Sequence, residues 1–253
     1  MEEITLNKPG INRNQLKLIA IFAMTLDHIL CVVWPGYNLP VFVYLLHAVG
    51  RLTAPIMCFF VAEGYHYTHD VKKYAVRLFL FALISHFAYN FAFGIPFIPL
   101  KTGIFNQTSI MWALAWGLVT LVIRNSTLAK WKKITATVVI CIIAFPSDWS
   151  SIAIMFIVGF ASNRGNFKKQ STSLIFYAAL YSIVYMIFIN VWYGLLQMSV
   201  VLALPLLYRY NGEKGRGNWM KWFFYLYYPL HLFLVGLLRL YLHGNVGVMV
   251  GGQ

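Results

Sequence analysis

The stretch LIFYAALYSIVYMIFI at residues 174–189 contains neither a charged residue nor a proline. Such a run would aggregate in water, whereas an apolar helix of about 20 residues is what crosses a bilayer. The run ITATVVICIIAF at residues 134–145 has the same character. The whole chain agrees, because 60% of its 253 residues are hydrophobic and 11% are charged, against about 25% charged in soluble domains. The sequence therefore predicts an all-α, polytopic bundle of transmembrane helices.

Apolar runs of this kind predict about nine helices within a single transmembrane domain at residues 1–253. They lie at 16–34, 41–63, 74–93, 108–123, 134–146, 150–161, 172–189, 192–208 and 222–241. The fifth and sixth are short for a span of about 20 residues, so they form either two spans or one broken hairpin. Loss of one span there would reverse the orientation of every later helix. The loops are short, and any functional site must lie within the bundle.

The basic residues are distributed unevenly between the two sides of this predicted bundle. The net charge is +13, and 17 of the 20 Lys and Arg residues lie in the N-terminal segment or in every second loop. In a soluble protein this charge would suggest nucleic acid, but here the bias follows the topology of a membrane protein. It predicts a cytoplasmic N-terminus in a plasma (inner) membrane and no nucleic-acid partner. With nine spans the C-terminus then lies outside.

Five ionisable residues are predicted to share one layer near the middle of the membrane. A helix rises about 1.5 Å per residue, and on this scale five side chains come out at similar depth: Asp27, His28, Arg51, His86 and His231. Ionisable groups at this depth are costly and are functional candidates by default. The alternative is structural, with Asp27 and Arg51 as an internal ion pair and the histidines as hydrogen-bonded core residues. His47 and Asn90 come out nearer the outer face.

Four stretches stand out together by their order and spacing. They read LKLIAIFAMTLDHI at 16–29, GRLTAPIMCFFVAEGYHYT at 50–68, KKYAVRLFLFALISHFAYN at 72–90 and FYLYYPLHLFLV at 224–235. In this order they resemble the TraX family of integral membrane proteins, whose founding member is associated with N-terminal acetylation of a conjugative pilin. Asp148-Trp149 is similar to a short element of that family. The spacing of Lys17 and His28 is also similar to a motif of the acyltransferase-3 membrane proteins, which acetylate surface glycans.

The resemblance implies a membrane-embedded acyltransferase that takes an acetyl group from cytosolic acetyl-CoA. The acceptor would be an amine or hydroxyl of an extracytoplasmic surface peptide or glycan. Acyl transfer needs a base for the nucleophile and donors for the developing oxyanion. His28 suits the base and Arg51 either the stabiliser or a contact to the donor, while Asp27 would pair with Arg51 or orient His86 or His231. His231 could also serve as a second acid or base.

Donor binding is expected on the basic cytoplasmic side, where cations suit the phosphates of acetyl-CoA. The candidates are Lys17, Lys72, Lys73 and Arg77. No metal site is expected, and membrane lipid is the remaining partner. Two other classes of function stay open. A proton-coupled secondary transporter would also use buried Asp, Arg and His. A di-haem electron carrier would need paired histidines in both leaflets, which the cytoplasmic half lacks.

Overall fold

A computed structural model describes residues 10–101, 103–215 and 219–248, except the side chains of Trp219 and Lys221. Helices make up the fold, and the described residues contain no β-strand, only two isolated bridges. The helices are α1 (Arg13–Val33), α2 (Val41–Gly50), α3 (Thr53–Tyr67), α4 (Val71–Phe93), α5 (Ile110–Arg124), α6 (Lys130–Ala144), α7 (Ser150–Ser162), α8 (Phe167–Phe188), α9 (Val191–Gln197), α10 (Leu204–Tyr208) and α11 (Trp219–His243). A 3₁₀ segment, Met198–Ala203, joins α9 to α10.

Six helical segments are long and apolar enough to cross a membrane, as judged over the described residues. They are Arg13–Val33, Val41–Tyr67, Val71–Phe93, Phe167–Phe188, Val191–Tyr208 and Trp222–His243. Two of these segments are broken helices, α2 with α3 and α9 with α10. Together with α5, α6 and α7 the described residues therefore contain nine helical crossings of the bundle. The predicted all-α bundle of a multi-pass membrane protein is confirmed.

Polar side chains fix the starts of several helices. Asn12 accepts from the backbone N–H of Gln15 at 3.0 Å and begins α1 as a capping box. Asp70 accepts from the backbone N–H of Lys73 at 2.9 Å and begins α4. This hydrogen bond lowers the pKa of the exposed Asp70 carboxyl, because it favours the ionised form. Such caps satisfy donors that a helix start otherwise leaves unpaired.

The loops gather at two ends of the bundle, which we name the basic end and the far end. At the basic end, Ile11 donates to the carbonyl of Arg209 at 2.8 Å, and Arg164 pairs with Glu63 at 2.8 Å. At the far end, Gln107 donates to the carbonyl of Pro146 at 2.7 Å. Consecutive crossings therefore alternate in direction, as the charge pattern requires.

The short pair α6 and α7 forms two antiparallel helices rather than one crossing. At the basic end Lys133 donates to the carbonyl of Arg124, at 2.9 Å. At the turn between the two helices, Ser147 pairs with Thr108 at the far end. The two helices therefore connect the same two ends, and the direction of every later helix is the predicted one.

Most of the Lys and Arg residues that the structure describes lie at the basic end, as predicted, whereas Lys101 lies in the loop before α5 at the far end. Lys8, Arg216 and the side chain of Lys221, which belong to the predicted bias, lie outside the described residues. The basic end is therefore predicted to face the cytoplasm.

The last helix closes the bundle by packing against α1 and α4. A Cβ at Gly236 would lie 2.4 Å from the ring of Phe91, so the absence of a side chain lets α11 approach α4 closely. Beyond the helix, Val248 donates to the carbonyl of Phe93 at 2.9 Å. This packing brings the middle of α11 against the middle of α1, where the predicted polar layer lies.

Candidate functional site

Two histidines meet in the interior where α1 packs against α11. His28 Nδ1 lies 2.8 Å from His231 Nε2, and the two rings are almost parallel. Both side chains are buried. The ring of Tyr227 stacks on His231, and that of Phe93 packs edge-on against His28. Residues 203 positions apart in the chain thus form one unit, as the predicted layer required.

The hydrogen bonds of this pair settle which ring nitrogen of His28 is free. His231 Nδ1 lies 3.1 Å from the carbonyl oxygen of Tyr227. A carbonyl only accepts, so His231 Nδ1 carries the proton and its Nε2 is an acceptor. His28 Nδ1–H then donates to His231 Nε2, and the lone pair of His28 Nε2 is left for another partner. Neutral His28 is therefore oriented as a base.

Asp27, the neighbour of His28 on α1, faces the turn between α2 and α3. Its Oδ1 accepts from His47 Nδ1 at 2.7 Å, and its Oδ2 accepts from Arg51 Nη1 at 3.4 Å. Both donors are buried. The predicted pairing of Asp27 with Arg51 is thus present, while Asp27 makes no hydrogen bond to His28, His86 or His231 in the described structure.

The guanidinium group of Arg51 is fixed on several sides. Its Nη2 donates to the hydroxyl of Tyr193 at 2.9 Å, and its Cζ lies 5.5 Å from the ring centroids of both Trp149 and Tyr193. Cation–π contacts of this kind favour a desolvated cation. Its Nε is buried and finds no hydrogen-bond partner among the described residues. The Nε–H of Arg51 is therefore a donor that the described residues leave without a partner in the centre of the bundle.

A further carboxyl group, Asp148, lines the same small cavities as Asp27 and His28. We give the name polar centre to Asp27, His28, His47, Arg51, Asp148, Tyr193 and His231. Residues 145–149 turn back into the bundle at the start of α7, where Trp149 and Ser150 adopt left-handed backbone conformations, with φ of 64° and 42°. Such strain in residues other than glycine persists only where the surroundings impose it and is common at functional sites. Within the described chain Asp148 has no ion pair within 4.0 Å.

Two small cavities, each about 20 Å³, lie on either side of this centre and share Asp27, His28, Asp148 and Trp149. We call the first the Arg51 cavity, because Arg51 lines it together with Cys31, Asn106, Tyr181, Tyr185, Tyr193 and Gln197. The second is the Tyr228 cavity, lined also by Met24, Gly50, Thr53, Ile110 and Tyr228. Each has room for about one water molecule or one small polar group.

A larger cavity of about 340 Å³ opens at the basic end. We call it the basic cavity, because its lining includes Arg13, Lys17, Arg77 and Lys214. Aromatic rings of Phe60, Phe224 and Tyr225 form its walls, and Lys17 Nζ lies 5.7 Å from the ring centroid of Phe60. Its Glu63 is neutralised by Arg164. The cavity can therefore hold an anionic group next to an apolar one.

Four of the predicted residues line none of these three cavities: His231, which contacts His28 instead, and His86, Lys72 and Lys73. His86 contacts the far-end loop instead, through Thr108 Oγ1 at 3.0 Å and the carbonyl of Phe97 at 2.8 Å. Lys73 pairs with Asp70 at 3.3 Å, and both Lys72 and Lys73 are exposed. On α4 the inward face carries Tyr74 and Arg77, which line the basic cavity. Lys72 and Lys73 lie on the outer side of the same turn.

His47, Asp148 and Tyr193 belong to the polar centre but were not among the predicted site residues. Depth counting placed His47 nearer the outer face, although its spacing of four from Arg51 would have put both on one face of a continuous helix. The family resemblance drew attention to Asp148 without giving it a role. Tyr193 carried no signal in a chain with 16 tyrosines.

Three of these side chains also meet the spacing of a metal site. The donor atoms of Asp27, Cys31 and His47 lie within 4.8 Å of one another. The carboxylate of Asp27, however, is already shared by His47 and the cation of Arg51. A divalent ion would have to displace the first of these hydrogen bonds and sit beside the guanidinium group.

Comparison with known proteins identifies the family. The family described as "TraX protein" matches residues 12–239. A "Probable fimbrial assembly protein FimC, serogroup H1" of Dichelobacter nodosus is 29% identical over 242 residues, which cover 90% of this chain and 96% of that protein. No solved structure matches the chain. The chain belongs to the TraX family.

Proposed function

We propose that this TraX family member is an acyltransferase of the plasma (inner) membrane that moves an acetyl group from cytosolic acetyl-CoA to an extracytoplasmic acceptor. One observation carries the proposal. His28, oriented as a base, and Arg51, with an unused N–H donor, line the same buried cavity. A base and an oxyanion donor are the two groups that acyl transfer requires.

The residues suggest a definite sequence of proton movements. His28 Nε2 takes a proton from the acceptor nitrogen, which attacks the thioester carbonyl carbon. The developing oxyanion is stabilised by Arg51 Nε–H. The carbon–sulfur bond then breaks, the thiolate receives the proton from His28, and an amide and free CoA remain. His231 holds His28 in the required tautomer throughout, since its own Nδ1–H is committed to the Tyr227 carbonyl.

The basic cavity supports donor binding from the cytoplasmic side. Met57 and Phe224 line this cavity, whereas Thr53, four residues before Met57, and Tyr228, four residues after Phe224, line the Tyr228 cavity. Four residues correspond to about 6 Å along a helix. A phosphate group held by Lys17 and Arg77 would thus leave the flexible thioester arm to extend into the centre past Met57, whose unbranched side chain adapts to its surroundings.

Asp148 favours an amine over a hydroxyl as the acceptor. In the described chain it is a carboxyl group without an ion pair, and it lines both small cavities beside His28. Asp148 is partly buried, and a carboxylate withdrawn from water is stabilised by a cation, which the protonated form of an amine acceptor supplies. The amine would bind Asp148 as an ammonium group, give its first proton to the Asp148 carboxylate, which later releases it to water, and lose its second proton to His28 during the attack.

A proton-coupled carrier is the second candidate, because cavities lie on both sides of the layer of Asp27, His28 and Asp148. Buried carboxylates and histidines in such a position suit a proton relay. The two functions differ in what they consume: an acyltransferase cleaves a thioester, whereas a carrier moves protons and leaves the thioester intact.

The test uses the full-length protein, purified in detergent, with radiolabelled acetyl-CoA and glycinamide or glycerol as probe acceptors. We expect label to appear in N-acetylglycinamide, or in acetate when no acceptor is added, and less label in glycerol. Lys73→Ala serves as a matched control, because Lys73 lies outside the basic cavity, and it should be as active as the unchanged protein. Intact acetyl-CoA together with proton flux in proteoliposomes would overturn the proposal in favour of a carrier.

A further inference from the structure

His47 is a buried histidine of the polar centre that, unlike His28, lines neither small cavity. His47 is 2% exposed, and its Nδ1 lies 2.7 Å from Asp27 Oδ1. It is absent from the linings of the Arg51 and Tyr228 cavities. The proposed reaction gives it no direct part. A buried histidine that contacts no substrate and makes a short hydrogen bond to a site carboxylate must act, if it acts, through that carboxylate.

His47 and Arg51 reach the same carboxylate from one turn of the chain. They are four residues apart, and the backbone N–H of Arg51 donates to the carbonyl of His47 at 3.0 Å. His47 donates to Oδ1 of Asp27 and Arg51 to Oδ2. Because an ionised carboxylate only accepts, His47 Nδ1 carries the proton. Each oxygen of Asp27 is thus assigned to its own donor.

Gly50 allows this close approach. It lies just before Arg51, and a Cβ at this position would be 2.4 Å from Asp27 Oδ1 and 2.5 Å from Asp27 Cβ. Any other residue would push α1 and α2 apart at this point. The last turn of α2, which carries His47 and Gly50 and is followed by Arg51, therefore packs closely against Asp27. The two hydrogen bonds of Asp27 hold its carboxylate in one orientation.

We infer that His47 is a positioning residue, which acts through Asp27 to hold the guanidinium of Arg51 with its Nε–H free for the oxyanion. The inference rests on the proposed function. Without His47, Oδ1 of Asp27 loses its donor, and the carboxylate can turn away from Arg51 Nη1. The guanidinium group then loses a fixed partner, and its Nε–H, which has no partner of its own among the described residues, shifts from the place where it meets the oxyanion.

Two substitutions at this position separate positioning from packing. His47→Asn keeps a side-chain N–H near the place of Nδ1, whereas His47→Leu keeps bulk and removes the donor. Removing an oxyanion donor lowers turnover by about 10²- to 10³-fold, and we expect His47→Leu to lose roughly ten- to a hundredfold in kcat as an indirect case of that effect. The KM for acetyl-CoA should stay within about twofold. His47→Asn should recover most of the lost turnover.

Equal activity of the Leu and Asn variants would overturn the inference, as would a loss confined to KM. If His47→Leu does not fold, Tyr193→Phe removes the other anchor of Arg51 and should lower kcat with KM unchanged; full activity in that variant would count against the inference. A cycle of melting temperatures for His47→Asn, Asp27→Asn and the double variant tests the hydrogen bond itself. Coupling in that cycle supports the pairing even if the protein consumes no acetyl-CoA, and additivity contradicts it.

Discussion

The basic cavity and the polar centre differ in size, charge and rigidity. The basic cavity has a volume of about 340 Å³, and cations together with aromatic rings line it. The two cavities of the centre have about 20 Å³ each, and Asp27, His28 and Arg51 on their walls are fixed by hydrogen bonds. A wide, cationic space suits the binding of a large anion, whereas narrow, preorganised sites suit chemistry. The difference suggests that donor affinity and turnover depend on separate residues.

The largest effect is expected at the base of the polar centre. His28→Ala should lower turnover by roughly 10²- to 10⁴-fold, the usual contribution of a general base. The measurement is the initial rate of acetyl-CoA consumption by the purified protein at saturating donor. His69→Ala, an exposed histidine at the basic end, is the control and should retain full activity. A fully active His28→Ala protein would remove the base from the proposed mechanism.

The next effect concerns stability as well as activity. Asp27→Asn leaves Arg51 as a buried cation without its carboxylate, and breaking a buried ion pair costs about 3–5 kcal/mol. We expect poor expression and a lower melting temperature, together with lost activity. The double variant Asp27→Asn with Arg51→Gln should regain stability, since no lone charge remains, but stay inactive. If the double variant regains activity too, the pair serves only the fold.

A smaller effect is expected in the basic cavity, and on binding rather than turnover. Arg77→Gln removes a cation from the wall of that cavity. A hydrogen bond to a charged group contributes about 1.5–3 kcal/mol, and 1.4 kcal/mol is a factor of about ten in affinity. The Kd of acetyl-CoA should therefore rise roughly tenfold, with kcat little changed. Lys72→Gln is the control on the outer side of α4, and an equal effect of both changes would show that general charge attraction suffices.

The smallest effect on activity is expected from single cysteines introduced to test which side each region faces. Lys101→Cys at the far end should react with an impermeant maleimide in intact cells, and Lys132→Cys at the basic end only after permeabilisation. Both residues lie outside the three cavities, so both variants should remain active. Reversed accessibility would place the basic cavity outside the cell and exclude cytosolic acetyl-CoA as its ligand.

The sequence allowed the nine crossings and the core of the polar centre to be predicted. Depth counting with a fixed rise per residue placed Asp27, His28, Arg51 and His231 in one layer, and the structure brings these four together. Such counting works because the helices that carry them are long and span much of the bundle. For α6 and α7 the apolar runs predicted two short spans or one broken hairpin, and the structure contains two helices.

The remaining residues depend on features that depth alone does not contain. The count predicted a similar depth for His86, but its ring contacts the loop at the far end, because a count along one helix gives no direction around it. His47 became part of the centre because α2 ends at Gly50 and its last turn closes around Asp27. Asp148 stands in a turn that folds back into the bundle, where the helical rise does not apply.

The separation of binding from chemistry is tested most directly by the affinity of His28→Ala for acetyl-CoA. The measurement is a binding isotherm for the purified variant in detergent, beside that of the unchanged protein under the same salt conditions. We expect equal Kd values, because His28 lies outside the basic cavity and acts only when the proton moves. Loss of acetyl-CoA binding in a folded His28→Ala protein, or no binding by either protein, would contradict it.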